Sequence, residues 1–239
     1  TAEVTNENNY LMPKPQYTLS YNRSRAIANW VAWTLNNSWL GNTPRQDDFR
    51  EDLSLPSPWY LVLDNDYSNT GFNRGHMCPS NDRTLTVADN SATFLMTNII
   101  PQAGNNNQGP WQELEEYANS TIVGQGNEMY IYSGGAGQGG TNDNGVFTNT
   151  IAQGRVVVPA FTWKVILVLP NGNDDANRVG KTTRVIAVIM PNRHDIGINT
   201  PWRNFRTTVK QVEALTGFNF FTNVRPQTRR IIKQRKDTL

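Results

Sequence analysis

The sequence is poor in the residues that build disulfide scaffolds and membrane spans. Its 239 residues include a single cysteine, Cys78, which excludes an internal disulfide framework and a zinc site made of cysteines. We interpret Cys78 as a small packed residue rather than a nucleophile. No apolar run approaches the roughly 20 residues of a membrane-spanning helix, so we expect no membrane partner.

Lysine is also scarce, and charge of one sign does not dominate. Among 22 basic residues, 16 are arginine and 6 are lysine, against 20 acidic residues, which leaves a formal charge of +2. This balance excludes a protein held on polyanions by bulk charge. The arginine bias is compatible with phosphate recognition, because the planar guanidinium pairs bidentately with phosphate oxygens.

Apolar and aromatic residues are plentiful enough for a core, at 37% and 10% of the chain. The length and the absence of internal repeats favour one domain over residues 1–239, with an extended arm at 1–16 and a basic tail at 225–239. The sequence starts without an initiating Met or an apolar leader. We therefore expect a secreted or periplasmic protein whose signal peptide has been removed.

The hydrophobic pattern predicts more strands than helices, and the two do not alternate regularly. This order predicts an α+β fold with a central, mainly antiparallel sheet and flanking helices. The predicted segments are strands at 28–35, 94–102, 128–134, 155–170 and 182–191, a long irregular connection at 40–58, a helix within 109–126 that begins at Pro110, and a helix at 203–217.

The stretch GFNRGHMCPSNDR, residues 71–83, contains His76, one of only two histidines. Asn-Arg-Gly-His is too polar for a packed strand, so it indicates a polar turn or a site. A neutral imidazole takes a proton from water near working pH. The other histidine, His194, lies in a separate turn and is predicted to be an exposed loop residue.

An asparagine-rich turn and a helix with early glutamates follow. Four-residue steps lead from Asn107 to Trp111, Glu115 and Asn119, which would form one stripe if the helix starts near Asn107. Amide and carboxylate oxygens suit Mg²⁺. A base, such ligands and nearby arginines together indicate attack of water on a phosphodiester. Asn105 and Asn106 are predicted to cap the helix.

The blocks PRQDDFR, NRGHMCPSNDRT, FLMTNIIPQ and NNNQGPWQELEEY resemble the sugar-non-specific DNA/RNA endonucleases of the ββα-metal, or His-Me finger, superfamily. The secreted cyanobacterial nucleases are the most similar in character. The resemblance runs from about Tyr10 to about Val224, with four separated blocks in the family's order. It implies a ββα-metal finger at the active site and DNA and RNA as substrates.

The resemblance also implies a role for each matching position. His76 matches the general base, Asn107 the direct ligand of one Mg²⁺, and Glu115 the carboxylate that holds the metal's waters. Arg45 and Arg74 match arginines that contact phosphate. The implied products carry 5′-phosphates. Substitution of Mn²⁺ for Mg²⁺ and the existence of a protein inhibitor are left open by the sequence.

Two positions depart from the family pattern. Asn73 stands where the motif usually has Asp, which removes a charge but keeps a carbonyl acceptor that can orient metal-bound water. Asn119 stands where relatives carry a phosphate-contacting Arg. Three alternatives therefore stay open: a nucleic-acid-binding protein silenced by Asn73, a structural domain, and a site-specific endonuclease of the same superfamily.

Overall fold

Six strands form a central sheet in the computed structural model, which describes residues 3–239. Along the sheet these strands follow the order 10–13, 18–22, 27–35, 127–136, 161–170 and 185–191, and all neighbours are antiparallel. The predicted α+β class with a mainly antiparallel sheet is confirmed. The twelve strands of the described residues are β1 Tyr10–Pro13, β2 Thr18–Asn22, β3 Ile27–Leu35, β4 Asn73–His76, β5 Ile99–Gln102, β6 Asn127–Ala136, β7 Gly140–Thr141, β8 Phe147–Thr148, β9 Thr150–Ile151, β10 Val156–Val157, β11 Phe161–Pro170 and β12 Val185–Pro191.

The sheet is covered on both faces, which explains why β11 and β12 are nearly continuous runs of apolar residues. On the first face, Ile166 belongs to a core that includes Leu114 of a long helix. On the second face, Val165 belongs to a core that includes Val212 and Ile232 from two later helices. Successive residues of a strand point to opposite faces, so β11 contributes to both cores.

The helical elements are short except for one continuous stretch. That stretch, called the long helix here, consists of Gly104–Asn106, a π segment Asn107–Trp111, Gln112–Glu116 and a second π segment Tyr117–Ile122. The α-helices elsewhere are Val87–Ala92, Asp175–Arg178, Val209–Thr216 and Pro226–Gln234, the last called the C-terminal helix. The 3₁₀ helices are Asn37–Trp39, Asp64–Tyr67, Ser80–Asp82, Met96–Asn98, Ala152–Gly154, His194–Ile196 and Trp202–Phe205.

The predicted start of the long helix at Pro110 is wrong, because the helix begins at Gly104. The Asp143 carboxylate accepts a hydrogen bond from the Gly104 backbone N–H at 2.7 Å and so caps a helix end that no local residue caps. Pro110 lies inside the helix, where Gly109 leaves the helical region of φ and ψ. The local widening accommodates a residue that lacks a backbone donor.

Three predicted strands are shorter in the structure, and one of them, 182–191, starts only at Val185. The segment 94–102 keeps only β5 as a strand, because the Asn98 side chain donates to the Thr93 carbonyl at 2.8 Å and bends the chain before it. The segment 155–170 divides into β10 and β11. Similarly, the predicted helix at 203–217 starts at Val209, where Thr208 caps it, and ends at Gly217 with φ +76°.

The two ends of the chain contain regular structure. Part of the predicted arm forms β1, which pairs with β2; residues 1 and 2 lie outside the described residues. Within the basic tail, Pro226–Gln234 forms the C-terminal helix, and the buried Lys233 pairs with Glu213. None of the helices between residues 3 and 239 is long and apolar enough to cross a membrane.

Candidate active site

The expectation that Asn73–His76 is too polar to form a packed strand is wrong, because these residues form β4, half of a short hairpin that leads into the long helix. β4 pairs antiparallel with β5, which places His76 opposite Ile99 and Asn73 opposite Gln102. Gly75 is required here, because a Cβ at this position would lie 2.2 Å from Oε1 and 2.7 Å from Cβ of Gln102. The glycine of Arg-Gly-His therefore permits the close approach of the Gln102 side chain.

His76 is held between aromatic rings. Its imidazole lies 5.5 Å from the Phe49 ring and 4.9 Å from the Phe94 ring, and the Trp111 indole N–H donates to its backbone carbonyl at 3.2 Å. Burial to 8% exposure, aided by the Arg45 guanidinium, lowers the pKa of His76 to about 3. The imidazole is therefore neutral at pH 7. Its Nε2 has no hydrogen-bond partner among residues 3–239.

The same two phenylalanines support the two predicted arginines. The Arg45 guanidinium lies 4.8 Å from the Phe94 ring and donates to Ser80 Oγ at 3.0 Å. The Arg74 guanidinium lies 5.2 Å from the Phe49 ring and pairs with Asp64. Their side chains are 46% and 31% exposed. Two positive charges thus flank a neutral imidazole while keeping access to solvent.

Asn73 and Asn107 contact each other directly. Asn73 Oδ1 accepts hydrogen bonds from Asn107 Nδ2 at 3.1 Å and from Gln108 Nε2 at 3.0 Å. Asn73 therefore keeps the acceptor role that its carbonyl oxygen predicts. With its amide nitrogen directed at Asn73, Asn107 has an Oδ1 that receives no hydrogen bond within the described chain.

Glu115 is tied to the central sheet. Its Oε1 accepts a hydrogen bond from Lys164 Nζ at 2.9 Å, and Lys164, on β11, is only 2% exposed. The same ammonium lies 4.0 Å from the Trp111 ring. Burial raises the pKa of Glu115 to about 7, and the Lys164 charge opposes that shift. Lys164 is one polar residue within the apolar strand β11, and nothing in the local sequence marks it as the partner of Glu115.

The predicted stripe on the long helix is confirmed by its contacts. Asn107 and Trp111 touch the hairpin as described, and Asn119 donates to the Asn81 carbonyl at 2.9 Å and to Asp82 Oδ1 at 3.1 Å. Asn119 therefore braces the turn that follows β4. An amide suits this bridge because it donates to two oxygens at once.

The chain matches a known protein family and several known proteins. The sequence model of the DNA/RNA non-specific endonuclease family matches residues 3–227 of this chain. The chain belongs to this family. A nuclease from Nostoc sp. is 46% identical over 229 residues, covering 96% of this chain and 79% of the relative. Nuclease C1 from Cunninghamella echinulata var. echinulata is 33% identical over 217 residues, covering 88% and 82%.

A solved structure confirms the fold of this family member. The crystal structure of the EndoG/EndoGI complex matches with a TM-score of 0.74 and 25% identity, covering 91% of this chain and 88% of the matched one. The resemblance inferred from the four sequence blocks is therefore confirmed. The individual roles of the site residues stay predictions.

Sequence reasoning missed the residue that holds the start of the endonuclease's long helix. Asn192 is fully buried just after β12. Its Oδ1 accepts from the Ala103 N–H at 2.8 Å, and its Nδ2 donates to the carbonyls of Pro101 at 2.9 Å and Pro159 at 2.8 Å. It follows Pro191 in a stretch that looks like an ordinary turn, so no sequence signal marks it.

Asp143 adds a second tie to the same region. Besides capping Gly104, it donates its backbone N–H to the Gly71 carbonyl at 2.9 Å, just before β4. The predicted capping role of Asn105 and Asn106 is wrong, because both lie inside the helix and bond elsewhere. The prediction of His194 as an exposed loop residue is only partly right, because it begins the 3₁₀ helix His194–Ile196 and is half-buried, with Nδ1 3.5 Å from the Asp143 carboxylate.

The donor set is sparse. Among residues 3–239, no three His, Cys, Asp or Glu side chains gather as a metal-binding group. The hairpin and helix instead bring together one free amide oxygen, one carboxylate, a neutral imidazole and two arginines. That arrangement has the parts needed for a hydrated cation beside a phosphate, rather than a closed metal cage.

Proposed function

We propose that this protein is a Mg²⁺-dependent endonuclease that hydrolyses DNA and RNA with little sequence preference and leaves 5′-phosphates. The observation that carries the proposal is the neutral imidazole of His76, fixed between Phe49 and Phe94 and flanked by the Arg45 and Arg74 guanidinium groups. A neutral imidazole held beside two positive charges is suited to accepting a proton next to a bound phosphate.

The residues present fit a magnesium ion. Asn107 Oδ1 would be the direct protein ligand, and the Glu115 carboxylate would hold metal-bound water. A bound Mg²⁺ would polarise the phosphate and stabilise the charge on the leaving 3′ oxygen. Few protein ligands are needed, because this ion usually keeps several waters. We extend the proposal to Mn²⁺ as a substitute, since the same oxygens suit it.

His76 would act as the general base by accepting a proton from the attacking water on its imidazole ring. A base whose pKa is lowered by burial and by Arg45 is a weak acceptor in the free protein. The negative charge of a bound phosphate would offset both effects. Phe49 and Phe94 fix the ring plane, so the orientation of the lone pair is set before substrate arrives.

Arg45 and Arg74 would bind the phosphate oxygens. Both are paired with exposed aspartates, Asp47 and Asp64, and exposed ion pairs are weak enough to exchange for a phosphate. Phosphate contacts position a strand without reading its bases. This accounts for the proposed tolerance of both sugars and of any sequence, and it disfavours the site-specific alternative.

The test is cleavage of supercoiled plasmid and total RNA in Mg²⁺, with and without EDTA. We expect both substrates to become smears and EDTA to prevent this. His76→Ala should reduce the rate by about 10²–10⁴-fold, whereas His194→Ala, which removes the other histidine, should not. Discrete fragments would favour a site-specific enzyme. Uncleaved nucleic acid would favour a nucleic-acid-binding protein whose activity is silenced by Asn73. Cleavage by His76→Ala at the wild-type rate would exclude His76 as the general base.

Asn73→Asp tests the departure from the family motif. The carboxylate would accept the same donors from Asn107 and Gln108 while adding a negative charge near the proposed ion. We expect a lower Mg²⁺ concentration for half-maximal cleavage. Asn171→Asp, at an exposed position after the end of β11, is the control for added charge. An unchanged or higher half-maximal concentration would contradict the role assigned to Asn73.

Location and partners are part of the proposal. We place the protein outside the cytoplasm, secreted or periplasmic, which detection of the nuclease in culture medium or periplasmic extract would test. One similar structure is titled as a complex of EndoG with EndoGI that concerns EndoG inhibition. By analogy we propose that a protein covering the His76 hairpin would inhibit this endonuclease.

A further inference from the structure

The positive charge of this protein is concentrated at its C-terminal end. Residues 225–239 contain six of the 22 basic residues and one of the 20 acidic residues. The preceding 224 residues therefore carry 16 bases against 19 acids. The net positive charge of the chain comes entirely from its last fifteen residues. Such asymmetry indicates a local surface for an anionic partner.

The basic side chains of the C-terminal helix region are free of carboxylates. Lys233 pairs with Glu213, but none of the other five forms an ion pair within the described residues 3–239. These five are Arg225, Arg229, Arg230, Arg235 and Lys236. All but the half-buried Arg229 are exposed. Arg229 and Arg235 donate to backbone carbonyls, but no carboxylate neutralises the charge of any of the five.

An aromatic cavity of about 500 Å³ lies beside this helix. Trp30, Tyr130 and Tyr132 line it from the sheet and are partly exposed, and residues 218–224 form the opposite wall. Arg229 Nη1 donates to the carbonyl of Thr222, a wall residue, at 3.1 Å. This hydrogen bond places Arg229 of the C-terminal helix next to a wall of the cavity.

The cavity extends along the sheet. A second cavity of about 270 Å³ shares Tyr130 and Tyr132 and continues toward Thr34 and Trp39. The carboxylate that lines the first cavity is Asp175, which is engaged by the Tyr130 hydroxyl and by Arg178. The two cavities together, called the aromatic groove here, present partly exposed aromatic side chains on which an uncharged ring could stack. The unpaired cations of the C-terminal helix region lie outside this groove.

This surface is separate from the His76 site. Tyr132 pairs with Val165 on β11, whose side chain belongs to the core on the second face of the sheet. The neighbouring Lys164 points to the first face, where it contacts Glu115 and Trp111. The sheet therefore lies between the aromatic groove and the candidate active site.

We propose that this surface binds single-stranded nucleic acid, with bases stacked on Trp30, Tyr130 and Tyr132 and phosphates on the arginines of the C-terminal helix. Aromatic side chains that stack with bases, combined with positive charge along the path of the backbone, are the usual composition of such sites. The inference rests on the proposed function and adds to it a second contact that retains a long strand while the active site cuts it.

The test measures binding of a fluorescein-labelled 12-nucleotide oligothymidylate in EDTA, where no metal supports cleavage. Arg225→Gln/Arg230→Gln should lower the slope of log affinity against log salt by roughly 0.7 for each lost phosphate contact. Trp30→Leu should weaken binding about fivefold or more, and Trp30→Tyr should restore most of it. Arg23→Gln/Arg193→Gln removes two exposed charges elsewhere and should leave the slope unchanged.

The outcomes separate this inference from the proposed nuclease activity. Equal salt slopes for the two double variants, or no effect of Trp30→Leu in a protein with unchanged thermal unfolding, would overturn the second site even if cleavage is normal. Trp30-dependent binding without cleavage in Mg²⁺ would support the second site alone. Binding of anionic phosphatidylserine vesicles in preference to the oligonucleotide would also overturn it. A substrate too short to span both sites should be cut equally by all variants.

Discussion

Replacement of Asn192 by alanine should test how the fold holds the long helix. The change removes one acceptor from the Ala103 N–H and two donors from the Pro101 and Pro159 carbonyls. Each buried group left unpaired costs about 1–3 kcal/mol, and the three share one side chain, so we expect a loss of about 3–5 kcal/mol. For a chain of this size, this corresponds to a fall in Tm of about 6–20 °C.

Urea denaturation followed by tryptophan fluorescence would measure the loss, with Asn65→Ala as the matched control at an exposed position. Below the unfolding temperature, Asn192→Ala should also require more Mg²⁺ for half-maximal cleavage. The reason is that Ala103 immediately precedes the helix that carries Asn107. A loss of less than about 1 kcal/mol in unfolding free energy, comparable with an ordinary surface substitution, would refute the role of Asn192 in holding the start of the helix.

Two further results are expected from substitutions of buried ionisable residues. Lys164→Met should destabilise the protein by about 3–5 kcal/mol because it leaves the Glu115 carboxylate without its partner; Lys164→Met/Glu115→Gln should recover most of this loss in urea denaturation, and no recovery would contradict the pairing. Because the pKa of His76 is about 3 in the folded protein and about 6.5 when unfolded, the unfolded state binds the proton first. Its contribution to stability is therefore complete above about pH 6.5 and lost as the pH falls toward 3, so His76→Gln should flatten the decline in unfolding free energy between pH 7 and 4.5.

Much of the architecture follows from short-range patterns. The strands β3, β6, β11 and β12 appear where apolar and β-branched residues cluster, and the stop at Gly217 follows from its left-handed conformation. The stripe on the long helix could be predicted because side chains about one turn apart share a face. Such features depend only on neighbours in sequence.

The remainder of the site depends on contacts between distant residues. The start of the helix at Gly104 requires the cap from Asp143, which lies 39 positions later. The orientation of the His76 imidazole requires the rings of Phe49 and Phe94 on either side of it. Nothing in the local sequence distinguishes these phenylalanines from core residues. Their part in positioning a base becomes visible only when the irregular segment 40–58 is folded against β4.

The anchors of the long helix also set the order in which the site can be completed. The hairpin and helix lie within residues 73–122, but Lys164 on β11 and Asn192 just after β12 are made much later. Chains emerge N-terminal end first at about 5–20 residues per second. A nascent chain therefore presents His76 and Asn107 for several seconds before the residues that fix their geometry exist. If the proposed cleavage of RNA is correct, the site that performs it would thus lack its supporting residues for most of the chain's own translation.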